Sequence, residues 1–166
     1  MGKIVMFNRG GNKMCTIYDV ANYFIKQSNN DEENSMTPLK LQKLCYYAQA
    51  WSLVWDGKEL FEDDFQAWVH GPANYDLFKK YQNACRNEVI TEVDKNYNDD
   101  VFSKDQIETL NVVWEEYGKF TGKYLEQLTH QERPWKETRG DLQPGMRCHD
   151  IIPKELMKEF YETLNG

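Results

Sequence analysis

The chain has 166 residues and a net charge of −7, an acidic balance that disfavours nucleic-acid binding, whose footprint is basic. Hydrophobic residues make up 40% and aromatics 14%, a load that argues against disorder and for one packed domain. No apolar run approaches the ~20 residues of a membrane span, and Ile4-Val5-Met6-Phe7 is too short for a secretory leader, so a cytoplasmic protein is expected.

Residues 1–13 stand apart from the single domain expected over residues 14–166. Residues 4–7 read either as an added edge strand or, if Met14 is the natural start, as part of an upstream extension. Asn8 to Asn12 has the composition of a linker. Thr16 then opens a helix, with Asp19 three residues on as a short-armed capping box. Ile17, Val20, Ala21, Phe24 and Ile25 form its buried stripe. Residues 28–35 (SNNDEENS) are a polar, acidic loop.

The strongest helix follows, over residues 37–55. Thr37 is a good N-cap and Pro38 suits the first turn, where no N–H is needed. Leu41, Leu44, Cys45, Ala48, Trp51 and Trp55 share one stripe, while Leu39, Tyr46, Ala50 and Leu53 lie on another side. Two apolar faces predict a helix buried between neighbours, with Lys40 and Lys43 on its thin solvent edge. Asp56-Gly57 supplies the closing turn.

Leu60-Phe61 offers an apolar contact, and residues 65–70 (FQAWVH) read as a short strand. Gly71-Pro72 breaks it, and Pro72 is expected to start a helix with Leu77, Phe78, Tyr81 and Cys85 inward. Residues 89–93 (VITEV) are a candidate strand to pair with residues 65–70. Ser103 with Gln106 is a capping box, followed by Ile107, Leu110, Trp114 and Tyr117 at helical spacing. Gly118 and Gly122 punctuate the chain before a short helix over residues 123–130, with Leu125 and Leu128 inward. Pro134 ends that region. Pro153 starts a last helix on Leu156, Phe160 and Leu164. The expected class is mainly α (α+β): about six helices around a buried central one, with one small β-hairpin or short strands.

Signals for chemistry are weak. Cys15, Cys45, Cys85 and Cys148 are scattered without a C-x-x-C pair; reduced thiols are expected, Cys45 and Cys85 core-facing. Cys148-His149-Asp150 is adjacent in sequence, and adjacent residues rarely chelate one ion together. The run Glu62-Asp63-Asp64 reads as a solvated turn rather than a cation site. Nucleotide, hydrolase and metalloprotease fingerprints are lacking. His70, His130 and Glu132 are the candidates for a metal-dependent hydrolase, against the plainer reading of helix-end histidines. The five tryptophans fit core packing better than a base-stacking platform. No cofactor or metal is expected.

Two stretches together resemble a known family. KLQKLCYYAQAW, then LF, then AWVHGP before a helix, and further on LTHQERPW, resemble the Panacea domain of SocA-like antitoxins and phage-associated GepA proteins. The resemblance runs from about Thr16 to the C-terminus. It implies a non-enzymatic antitoxin that neutralises a cognate protein toxin by direct binding; in the SocA branch it implies delivery of the toxin to a Clp protease instead. Within the motifs, Leu41, Leu44, Trp51, Gly71, Pro72 and Pro134 read as structural, with Trp68 and Trp135 plugging the core. His70, His130, Glu132 and Arg133 are polar side chains costly to bury unless paired, and they are expected to line one face that grips the toxin, Glu132 facing a basic partner.

Overall fold

A computed structural model describes residues 14–165; the strand and linker read over residues 4–12 lie outside the described residues. Seven α-helices and one two-stranded hairpin follow each other among them. The class is mainly α with a small β part.

α1 (Ile17–Asn29) begins at a complete capping box between Thr16 and Asp19. α2 (Pro38–Trp55) is capped by Thr37, whose side chain accepts from the Lys40 N–H. It is the centre of the molecule, packed by α1, α4 (Lys104–Tyr117), α5 (Gly122–His130) and α7 (Lys154–Leu164). Leu41, Leu44, Cys45, Tyr46, Tyr47 and Ala48 are all buried. Surrounding a helix on every side leaves no face for solvent, and Lys40 and Lys43 are therefore buried too, against the solvent edge expected for them.

Gly57, in left-handed backbone, follows the C-cap Asp56 and turns the chain as expected. Two α2 glutamines then hold the next segment by its backbone. Gln49 accepts from the Leu60 N–H and donates to the Phe61 carbonyl, both at 2.7 Å. Gln42 accepts from the Asn74 N–H at 2.8 Å and donates to the Asn74 carbonyl at 3.0 Å.

Between those anchors lies the hairpin. β1 (Gln66–Trp68) pairs antiparallel with β2 (Gly71–Ala73) across a two-residue turn, Val69-His70. Gly71-Pro72 thus belongs to the partner strand and does not open a helix. Residues 89–93 form no strand, so the expected partner of β1 was misassigned; β2 is nearer in sequence and closes a tighter loop. Pro72 is tolerated because it faces Ala67, and the Ala67 N–H and C=O point away from it. They bond to the Asp150 carbonyl at 3.0 Å and the Arg139 guanidinium at 2.9 Å. In such a non-hydrogen-bonded pair the missing proline N–H costs nothing.

α3 (Tyr75–Lys80) starts at Asn74, whose side chain accepts from the Leu77 N–H. It ends before Cys85, which is exposed and not core-facing. α4 starts at the Ser103–Gln106 capping box and ends at Gly118. α5 follows at Gly122, where the chain passes so close to α2 that a Cβ would lie 2.9 Å from the Lys40 backbone nitrogen. Pro134 lies in the first turn of a further helix, α6 (Arg133–Arg139), rather than ending the region, since a proline in the first turn forfeits no helical bond. In α7 the buried positions are Met157 and Tyr161 while Leu164 is exposed; the face meeting the core is rotated from the expected Leu156, Phe160 and Leu164 stripe, with Phe160 left partly buried at its edge.

Candidate functional site

The two motifs far apart in sequence meet at the hairpin. Trp135 of α6 is buried and its indole N–H donates to the Trp68 carbonyl at 2.8 Å. Arg139, one turn on, is buried under β1, lies 4.9 Å from the Trp135 ring, and donates to the Ala67 and Gln143 carbonyls. His130 stacks on Trp135 with centroids 3.9 Å apart. Trp135 does plug the core; Trp68 is only half-buried and presents its ring outward, 5.5 Å from Phe78 and 6.2 Å from His149.

Beneath the hairpin sits Lys43, 1% exposed, its ammonium donating to the Pro72 carbonyl at 3.1 Å. Gly71 lies across its stem in left-handed backbone at φ 101°, and a Cβ there would come within 2.6 Å of the Lys43 Cε. Burial pushes the Lys43 ammonium down to about 7, only partly opposed by the Glu126 carboxylate. Lys40 makes the same kind of bond, donating to the Gly118 carbonyl at 2.6 Å and to the Ser35 carbonyl at 3.2 Å, and burial lowers it to about 8. Sequence reasoning missed both lysines. The signal was available: they stand on a helix apolar on two faces, with little solvent edge left for them.

The four polar residues expected on one face are not brought together on one. His70, at the hairpin turn, is half-buried; Glu126 of α5 lies 3.1 Å from its Nδ1 and the Arg86 guanidinium 2.8 Å from its Nε2. A carboxylate on one side and a guanidinium on the other are satisfied together by an N–H at Nδ1 and a lone pair at Nε2. His130 is half-buried against Trp135, its Nε2 buried without a partner, and burial lowers its pKa. Glu132 points inward, so it presents nothing to a basic partner: the Tyr47 and Tyr161 hydroxyls donate to its Oε1 at 2.9 and 2.7 Å. Burial pushes this carboxyl up to about 7 despite those bonds. Arg133 is exposed on the far side of that residue, paired with Glu137 and, at 3.0 Å, Glu159.

His70 and Glu132 have separate partners, and no cluster of three or more His, Cys, Asp or Glu side chains suited to a metal ion occurs among the described residues. No described helix is long and apolar enough to cross a membrane.

What the hairpin does create is an open groove of about 750 Å³. Its walls are the start of α2 at Leu39, the outer face of the hairpin at Trp68 and His70, α3 at Tyr75 and Phe78, the loop at Arg86, and the loop segment at Arg147 and His149. Tyr75 and Phe78 stack on each other and are 53% and 46% exposed. Such side chains are usually covered when they cluster.

The model of the family "Antitoxin SocA-like, Panacea domain" matches residues 41–136. The chain belongs to this family. Its Panacea match begins inside α2 and ends inside α6, a narrower span than the motifs suggested, and it takes in the hairpin with the helices that clamp it. No curated protein and no solved structure matches the chain.

Proposed function

We propose that this Panacea protein is a cytoplasmic antitoxin that neutralises a cognate protein toxin by binding it directly in the groove beside the hairpin. The observation that carries this reading is the cluster of Trp68, Tyr75 and Phe78 around an open, largely apolar cleft. Aromatic anchors in a cleft held by rigid elements are where binding energy concentrates. Family membership supplies the kind of partner. Of the four polar residues singled out from the motifs, His70 lines this groove, and His130, Glu132 and Arg133 do not.

The test is rescue of growth when the protein is co-expressed with the toxic product of its adjacent reading frame. Phe78→Ala is expected to weaken binding by about 1–2 kcal/mol and impair rescue, while the melting temperature holds because the ring is already half in solvent. Full rescue by a Phe78→Ala/Tyr75→Ala variant would place the grip elsewhere. Disappearance of the toxin protein during rescue would speak for removal rather than direct inhibition.

A further inference from the structure

Charge divides this molecule unevenly. The chain carries 27 Asp and Glu against 20 Lys and Arg, yet among the described residues no aspartate or glutamate lines the groove, while Lys43, His70, Arg86, Arg147 and His149 do. Arg86 and Arg147 are exposed. Neither pairs with a carboxylate among the described residues, although the surface supplies lysines and Arg133 with acidic partners elsewhere.

Arg86 is also positioned. Its backbone carbonyl accepts from the Leu39 N–H at 3.0 Å, tying the loop to the first turn of α2. Its guanidinium donates to His70 Nε2, and His70 is held in turn through Nδ1 by the buried Glu126 carboxylate. One N–H of the fork is used in this way, and the others are left for a planar acceptor. A mostly acidic protein that clears carboxylates from one cleft and aims guanidinium groups into it is complementary to negative charge there and repels it elsewhere.

We infer that the groove is built for an acidic segment of the toxin: large apolar side chains seat on Leu39, Trp68 and Phe78, and flanking Asp or Glu side chains pair with Arg86 and Arg147. This inference rests on the groove being the toxin-docking surface.

The experiment titrates the purified product of the adjacent reading frame against the wild-type protein, Arg86→Glu, Arg147→Glu and Phe78→Ala, at low and high salt. The expected result is a Kd weakened about tenfold or more by either charge reversal, with a flattened salt dependence and unchanged melting. Phe78→Ala is expected to weaken binding while keeping the wild-type salt dependence. Arg147→Glu tests the claim independently should Arg86→Glu perturb the loop. If Phe78→Ala weakens binding but both reversals leave Kd and salt slope unchanged, the groove docks the toxin and the acidic partner is overturned. If the wild type does not bind at all, direct neutralisation itself fails. Equal competition by oligothymidine for the same groove would overturn the inference in favour of nucleic acid.

Discussion

Glu132 shows how much a single side chain depends on its surroundings. It is the N-cap residue of α6 but makes no cap bond, because its carboxyl turns into the core toward Tyr47 and Tyr161. Those hydroxyls join a wider ring of aromatics in which the Tyr161 hydroxyl also accepts from the Tyr46 hydroxyl at 3.1 Å and Tyr47 stacks on Tyr117 at 4.1 Å. The folded carboxyl titrates at about 7 against 4.5 when free. Between those values the folded chain binds more protons than the unfolded one, so this group's contribution declines as pH rises through the window and is level above it. Glu132→Gln keeps an acceptor for both hydroxyls and removes the titration. The variant is therefore expected to gain on the wild type between pH 5 and pH 8, by up to about 3 kcal/mol, read from denaturant unfolding at several pH values. A constant difference between the two proteins across that range would mean the carboxyl ionises freely.

At the scale of elements, the hairpin is the informative case. Three residues per strand cannot stand alone in water, and this one is clamped from both faces: Lys43 and Gln42 of α2 on one side, Trp135 and Arg139 of α6 on the other. That arrangement explains why the AWVHGP and THQERPW stretches occur together: they are two halves of one clamp. Gly71 is its tightest point. Gly71→Ala forces a Cβ against the Lys43 stem and the Thr129 hydroxyl in left-handed backbone, and is expected to cost about 1–3 kcal/mol or more. Hydrogen exchange is the sharper readout, with the Gln66 to Ala73 amides losing protection before those of α2. A variant as stable as wild type, with unchanged exchange, would show that the hairpin shifts off Lys43 without penalty.

For the whole molecule, cohesion comes from α2, which touches α1, α3, α4, α5, α7 and the hairpin. With one shared core, damage at its centre cannot stay local. Leu44→Ala, at a fully buried position, is expected to cost about 2–5 kcal/mol. Far-UV and near-UV signals should still melt together at the lower temperature; separate transitions would mean that the hairpin side and the α4 side fold independently. The amino-acid sequence by itself determined the starts of α1, α2 and α4, since the caps at Thr16, Thr37 and Ser103 and the doubled stripe of α2 depend on residues three or four positions apart, while α6 and the start of α3 at Asn74 were not legible in it. It also carried the family through two short motifs. Only the tertiary structure decided which polar side chains are buried. Lys40, Lys43, Gln42, Gln49 and Glu132 look like ordinary surface residues locally, and each finds its partner on a distant segment. The groove belongs to the same class: Arg86, Arg147 and Phe78 are unremarkable in sequence, and they share a cleft because the hairpin folds back to face α3. Local spacing decides elements, whereas burial and charge clearing are properties of surfaces assembled from segments far apart in the chain.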